Sequence, residues 1–394
     1  MHRHMFCFKR RDAITRKGMV IMKKINRRNF LKVAGVGAAA LGLAACGGSS
    51  SSTASSAAGS TAASSTASTA TSAAASAAAG DAAAAASDPA VSFSVTNTHS
   101  GEGVQDKSMD KLIELADKYS GGSIKGTKIA GGSLGGEREE TEMLQLGTLE
   151  CAFVADMGVD SAIGGLGWAW LPFMLTDYDQ VDEYYINGWI NDELTKQYAD
   201  NGLIRVAPTE NCFRECGNVK RPINSMADMT GLKIRVPETQ ACQDFYTALG
   251  AIPAAIATSE TLAALEQGTV DGVDNSIYNM KSMGVLEKIK YITMLNYMYS
   301  GASITCSEEF WNSMTANQQA AFKQAADEAG AFFRENMRAD EQTILDQGSF
   351  EVEEIDPSSD FYKQMKEKAV ELWAGYASEY PSDIMDRINQ DFSV

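Results

Sequence analysis

The chain has 394 residues and a formal net charge of −17, with 51 acidic against 34 basic side chains. Eleven basic residues and one acidic residue fall in the first 46 positions, so the remainder carries 23 basic and 50 acidic groups, a net of −27. That balance disfavours a nucleic-acid partner. Two of the three histidines, His2 and His4, also lie in the leader; with only His99 remaining, a site of several histidine ligands is excluded.

Residues 1–46 read as an export leader. Lys23, Lys24, Arg27 and Arg28 precede the apolar run 33–45, which is too short for a membrane span and fits a signal h-region. Arg27-Arg28-Asn29-Phe30-Leu31-Lys32 resembles a twin-arginine motif, with Tat and Sec export both open. Leu43-Ala44-Ala45-Cys46 resembles a lipobox, which implies a diacylglycerol on the Cys46 thiol and a membrane anchor. Met22 is a more natural start than Met1, because the positions before it add only basic length. Residues 47–90 are almost entirely Ser, Ala, Thr and Gly, a composition that cannot bury enough apolar surface to fold. As a flexible coil this tether would span roughly 35–40 Å.

From position 91 strand-like and helix-like stretches alternate, the pattern of an α/β fold. Residues 91–95 predict a first strand and 109–119 a helix with apolar positions at 109, 112, 113, 115 and 116. The glycine-rich run 131–136 lacks the Walker lysine and the GxGxxG spacing, so a strand-to-helix turn is expected rather than a phosphate cradle. Residues 139–146 read as a helix and 151–154 as a short buried strand. Trp168-Ala169-Trp170-Leu171-Pro172-Phe173 is an aromatic cluster, either interior packing or a ligand wall. Near the end, 315–347 carries one long helical pattern with Gly348 as its stop; at 1.5 Å per residue it spans about 50 Å, more than one small lobe needs.

Five cysteines follow Cys46: Cys151, Cys212, Cys216, Cys242 and Cys306. Cys212 and Cys216 have the spacing of a ligand pair, but no second pair completes a zinc site, so buried thiols or at most one disulfide are expected. Leu232, Ile234 and Val236 alternate with Lys233 and Arg235, the period of a half-buried strand. Arg235 therefore leaves the apolar face, as a solvated charge or as a fixed cation awaiting an anion.

The stretch from Glu210 to Asn275 resembles the extracytoplasmic solute-binding proteins of tripartite ATP-independent periplasmic (TRAP) transporters, the DctP type. The matching pieces are Glu210-Asn211-Cys212-Phe213-Arg214, Arg221-Pro222-Ile223, Gly231-Leu232-Lys233-Ile234-Arg235-Val236-Pro237, Ala248-Leu249-Gly250-Ala251, Ser259-Glu260, Gln267-Gly268 and Val270-Asp271-Gly272-Val273-Asp274-Asn275. Leu134-Gly135-Gly136-Glu137-Arg138-Glu139 and Leu146-Gly147-Thr148 fit the same family upstream, so the similarity covers essentially 91–394.

The resemblance implies a two-lobe periplasmic-binding-protein-like fold with the long helix bridging both lobes. Lobe I would take 91–212 and about 301–340, lobe II 213–300 and about 341–394. It implies that Arg235 projects into the interlobe cleft and pairs bidentately with the carboxylate of an organic acid, a geometry suited to the planar guanidinium. Arg214 matches an assisting arginine, Asn275 a hydrogen-bonding asparagine, and Asn97 and Glu137 first-lobe positions that contact hydroxyl or amine groups. His99 and Asp156 lie near the same rim. A sugar acid such as a uronate or aldonate is the favoured ligand, with a C4-dicarboxylate or keto acid next, and the TRAP membrane subunits are the implied partners. Thr258, Leu262, Glu266, Cys212 and Glu215-Cys216-Gly217 depart from the family pattern, so no relative's substrate transfers directly.

Two other classes compete. An exported enzyme is disfavoured by the single histidine and by the lack of a nucleophile motif or cofactor fingerprint. A sensor presenting its ligand to a membrane kinase, or a receptor for an ABC-type transporter, would share the fold and differ in its partner.

Overall fold

The computed structural model describes residues 88–99 and 101–392. The leader with Arg27, Arg28 and Cys46, and the stretch 47–87, lie outside the described residues.

Two sheets organise the chain. The first has the strand order β2-β1-β3-β10-β4, built from β1 (Val91–Asn97), β2 (Ile124–Lys128), β3 (Cys151–Ala155), β4 (Leu203–Phe213) and β10 (Tyr299–Ser307). The second has the order β11-β9-β5-β8-β6-β7, from β5 (Glu215–Asn218), β6 (Lys233–Val236), β7 (Ile252–Ala255), β8 (Gly272–Asn275), β9 (Tyr291–Met294) and β11 (Glu351–Glu354). β1, β2 and β3 run parallel, while β10 lies antiparallel to both β3 and β4. Every residue of β3 and of β10 is buried, as in strands covered on both faces. The architecture is a two-lobed α/β fold.

Three connections cross between the sheets. β4 passes into β5 through Arg214 alone, β9 passes into β10 through residues 295–298, and a long helix leads back to β11. Each of the two hydrophobic cores consequently draws on both sheets: one joins Val154 to Ile234 and Trp373, the other joins Phe93 and Phe153 to Val273 and Ile292.

The helices that matter for the site are α1 (Val104–Tyr119), α2 (Glu137–Gln145), α3 (Asp156–Ile163), α4 (Trp189–Asp200), α5 (Gln240–Ala248) and α6 (Ile277–Ser282). After them come α7 (Ala316–Gln347), α8 (Asp360–Tyr376) and α9 (Ser382–Asp391). α1 begins five residues before the apolar periodicity does, because its first turns bury Gln105 and Ser108 beside Val104, and polar burial leaves no hydrophobic trace. α2 begins at Glu137 because Gly136 takes the N-cap position, where its N–H donates to the Glu139 carboxylate at 2.9 Å.

α7 is 32 residues long, about 48 Å. A capping box starts it: the Gln318 N–H donates to the Thr315 hydroxyl at 3.3 Å, and the Thr315 N–H donates to the Gln318 side chain at 3.0 Å. Gly348 ends it. Gly330 permits close approach to β4, since a Cβ there would stand 2.8 Å from the Pro208 carbonyl oxygen. Further along, Arg338 bonds Glu210 of β4 and Asp182, and the Glu341 carboxylate accepts the Ile277 N–H of α6 at 2.9 Å. The helix thus touches both lobes.

Trp168 stacks on Trp189 at 5.8 Å and the Trp170 indole donates to Thr239 at 3.4 Å, so the aromatic cluster is interior packing. α9 returns to the same region: the Trp189 indole donates to Asp391 at 3.0 Å. All five cysteines of the described residues are buried free thiols.

Candidate ligand-binding site between the two lobes

The alternation of β6 buries Ile234 and Val236 completely on one face and turns Arg235 to the other, where it is also only 1% exposed. Its Nε donates to the Ile256 carbonyl at 2.8 Å, Nη2 to Thr258 Oγ1 at 3.4 Å and Nη1 to the Asp274 main-chain oxygen at 3.5 Å. Among the described residues no carboxylate forms an ion pair with it. Burial, and then the neighbouring Arg214 guanidinium, push its pKa down to about 10.

Arg214 is placed differently. Standing where β4 becomes β5, it donates through Nε to both Asp274 carboxylate oxygens, at 3.1 and 3.3 Å, and through Nη2 to the Asp274 main-chain oxygen at 2.7 Å. Burial pulls its pKa down, but its neighbours, the Asp274 carboxylate first among them, together hold the guanidinium well above its ordinary value. The Tyr297 hydroxyl also donates to Asp274, at 3.0 Å. Of Arg214 and Arg235, the first is therefore neutralised inside the protein and the second is not.

Arg235 lines two adjoining spaces that share Glu137, Met157, Pro237 and Thr258. The inner chamber, about 30 Å³, also meets His99, Asn211, Arg214, Asn275, Asn279 and Ser300. The outer cavity, about 460 Å³, is walled by residues 135–139 and Gly158 of the first lobe and by residues 257–260 of the second. Glu137 guards the junction: its Oε1 accepts the Ala155 N–H at 2.9 Å, and burial raises its pKa to about 6. Gly158 is required beside it, since a Cβ there would meet the Glu137 side chain at 2.3 Å. His99 is held through Nδ1 by the Ser282 hydroxyl at 3.0 Å, and burial followed by the charge of Arg235 lowers its pKa to about 4. It is a neutral imidazole at neutral pH. Asn275 uses Oδ1 to accept the Ser276 N–H at 2.9 Å and turns Nδ2 toward Met283 Sδ at 3.3 Å.

The family model described as bacterial extracellular solute-binding protein, family 7 (DctP), matches residues 95–379. The chain belongs to that family. It is a solute-binding protein of the TRAP transport type and not an enzyme. A twin-arginine translocation signal model matches residues 24–44, which places the protein outside the cytoplasm.

Among its relatives, a solute-binding protein of Verminephrobacter eiseniae is 29% identical over 62% of this chain and 71% of the other. The C4-dicarboxylate-binding periplasmic protein DctP of Rhodobacter capsulatus is 27% identical over 63% and 76%. A TRAP periplasmic solute-binding protein from Polaromonas, solved with D-erythronate, superposes with a TM-score of 0.70 at 27% identity, covering 77% of this chain and 99% of that one.

In this solute-binding protein Arg235, Arg214, Asn275, Glu137 and His99 come together at the inner chamber, whereas Asn97 and Asp156 line neither space. Asn97 Oδ1 accepts the His99 N–H at 2.7 Å in an Asx turn, so its amide shapes the turn that presents His99. Asp156 opens α3 and faces inward, accepting from the Tyr198 hydroxyl at 2.6 Å and from Tyr185, with Arg205 Nε at 3.6 Å. Its charge is committed to that buried arginine. Asn211, Asn279 and Ser300 are chamber residues that the sequence did not single out; Asn211 lay inside a quoted motif, while Asn279 and Ser300 carried no signal.

Proposed function

We propose that this protein is an extracytoplasmic receptor that binds an organic acid through an Arg235–carboxylate pair and delivers it to TRAP membrane subunits. A sugar acid such as a uronate or aldonate is the favoured ligand, a C4-dicarboxylate or keto acid the next. The observation that carries this reading is the buried Arg235 guanidinium, which no carboxylate of the described residues pairs, at the closed end of an interlobe cavity. At about 10–15 Å³ for each water-sized position, the inner chamber of about 30 Å³ has room for two oxygens, the number a carboxylate presents.

The relatives agree in chemistry: the Polaromonas protein was solved with D-erythronate, a Bordetella protein 26% identical carries density assigned to pantoate, and the Rhodobacter protein binds C4-dicarboxylates. Arg214, Asn275 and His99 would complete the carboxylate end, with Glu137 as acceptor for the ligand's donors; Asn97 would act behind His99, and Asp156 through the packing of α3. Lobe I would comprise 91–212 with about 301–340 and lobe II 213–300 with about 341–394, divisions supported by the sheet to which each strand belongs. Because wall residues come from both sheets, a bound acid adds contacts that only the closed arrangement makes, and ligand shifts the population toward closure.

A thermal-shift screen against sugar acids, dicarboxylates, keto acids and amino acids tests the reading. Ligand at a hundred times its Kd stabilises the folded state by about 2.7 kcal/mol, and silence across all organic acids on ligand-stripped protein would overturn it. Co-purification of TRAP membrane subunits tests the partner. The lipid anchor rests on Leu43-Ala44-Ala45-Cys46 following the matched signal at 24–44. Mass spectrometry of the membrane fraction should find Cys46 diacylated; a chain processed elsewhere would refute the anchor.

A further inference from the structure

We infer that the cavity selects a monocarboxylate whose other polar groups are hydroxyl or ammonium donors, and that it rejects a second carboxylate. The inference rests on the organic-acid reading above and narrows its ligand class. Only one of the two chamber arginines is available: Arg214 is neutralised by Asp274, while Arg235 has no anionic partner among the described residues. His99 adds no charge at neutral pH, and its Nδ1 is engaged by Ser282. Arg235 is therefore the one cation of the chamber left to meet a ligand's negative charge, and the Glu137 carboxylate at the same chamber adds a negative charge of its own.

Away from Arg235 the cavity turns acidic. Glu137, Glu139, Glu238 and Glu260 line the outer space, with Arg138 as the one cation beside Arg235. Arg138 is already paired through Nε with Glu142 at 3.2 Å. With its carboxylate on Arg235, a ligand directs its far end at this wall. A hydroxyl or an ammonium group there meets acceptors. A second carboxylate meets like charges and loses water without gaining a cation, which is the unfavourable case for a partly desolvated ion. The protein's acidic balance adds to the same field.

Calorimetric titration of the ligand-stripped protein at pH 7.5 with matched acids tests this. Suitable pairs are D-gluconate with D-glucarate, D-galactonate with galactarate, erythronate with meso-tartrate, and 4-hydroxybutyrate with succinate. Within each pair only a terminal hydroxymethyl group is replaced by a carboxylate. In any pair that binds, the monocarboxylate is expected to bind at least tenfold more tightly. That gap should narrow at high salt and in the Glu238→Gln/Glu260→Gln double variant, where both altered side chains are exposed. A dicarboxylate that binds as tightly as its partner overturns the inference and leaves the organic-acid reading intact. A gap untouched by both salt and the double variant overturns the acidic wall as its cause. Failure of every carboxylate, in the pairs and in the wider screen, withdraws the organic-acid reading and the inference with it.

Discussion

Replacing each chamber arginine by methionine separates a ligand-binding cation from a structural one. Arg235 is fully buried and its pKa is held near 10, so at neutral pH its charge costs the fold on the order of 3 kcal/mol, at 1.36 kcal/mol per pH unit. Arg235→Met removes that cost and forfeits the hydrogen bonds to Ile256, Thr258 and the Asp274 main-chain oxygen, about 1.5–3 kcal/mol together. The ligand-free variant should therefore stay within about 1 kcal/mol of wild type, a change in Tm of no more than about 2–4 °C. Its affinity for the cognate acid should fall by at least tenfold, since a charge-assisted hydrogen bond contributes about 1.5–3 kcal/mol. Arg214→Met has the opposite signature: it leaves Asp274 buried and unpaired, a loss of about 3–5 kcal/mol in stability. Calorimetric melting of the two ligand-free variants, with titration of the acid into each, reads both quantities. If Arg235→Met destabilised the protein as severely as Arg214→Met, or bound the acid within about 1 kcal/mol of wild type, the assignment of Arg235 as the uncompensated anchor would be wrong.

Glu140 offers a pH test. Burial, then its neighbours Glu137 and Glu139, raise its pKa from 4.5 to about 9, and neither carboxyl oxygen has a hydrogen-bond partner among the described residues. The unfolded chain ionises this group near 4.5 while the fold keeps it protonated, so stability is lost as pH rises from about 4.5 to about 9, by up to about 6 kcal/mol. Glu140→Gln should flatten the dependence of Tm on pH, and parallel profiles for variant and wild type would refute this. Asp156→Ala should cost about 3–5 kcal/mol by stranding Arg205, yet leave the Kd for the acid within about threefold; a larger loss of affinity would return Asp156 to the ligand. The thiols of Cys151, Cys212, Cys216, Cys242 and Cys306 are buried, so Ellman's reagent should detect them only in denaturant. Rapid labelling of the native protein would contradict that burial.

How much of this was legible in the sequence depended on the kind of signal each residue leaves. Period-two alternation fixed β6 and sent Arg235 away from its apolar face, but alternation cannot distinguish a wet face from a cavity wall; the family resemblance made that choice. The apolar spacing and the stop at Gly348 located α7 to within one residue, while the cap at Thr315 became visible only in the structure. The start of α1 escaped because Gln105 and Ser108 are buried polar residues, which hydrophobic periodicity does not register. For Asp156 the resemblance pointed to the rim, whereas the side chain turns inward, because the demand for its charge comes from Arg205, which lies far along the chain on β4. Asn279 and Ser300 reach the chamber only through the pairing of strands distant in sequence.

The left-handed non-glycine residues of the described chain lie at the crossovers or bond to them. Among the described residues three non-glycine residues have left-handed φ: Phe173 at 61°, Cys212 at 59° and Asn296 at 43°. Cys212 precedes the β4–β5 crossover, Asn296 lies in the β9–β10 crossover, and the Phe173 N–H donates to the Tyr297 carbonyl in that same segment. The Glu215 carboxylate accepts the Leu295 and Asn296 N–H groups, and the Arg214 N–H donates to the Met298 carbonyl at 2.9 Å, so the two crossovers are bonded side by side. Conformations of this kind persist only where the surroundings over-determine them. Arg214 is itself the single residue between β4 and β5, and Tyr297 in the other crossover donates to the same Asp274 that neutralises it. One lining residue of the chamber, Arg214, is therefore also the whole of a connection between the two sheets, and Asn211 and Ser300 line it from the strands on either side of the crossovers. A carboxylate paired with Arg235 would lie beside that connection as well as on its anchor, so the proposed coupling of binding to closure would run through Arg214.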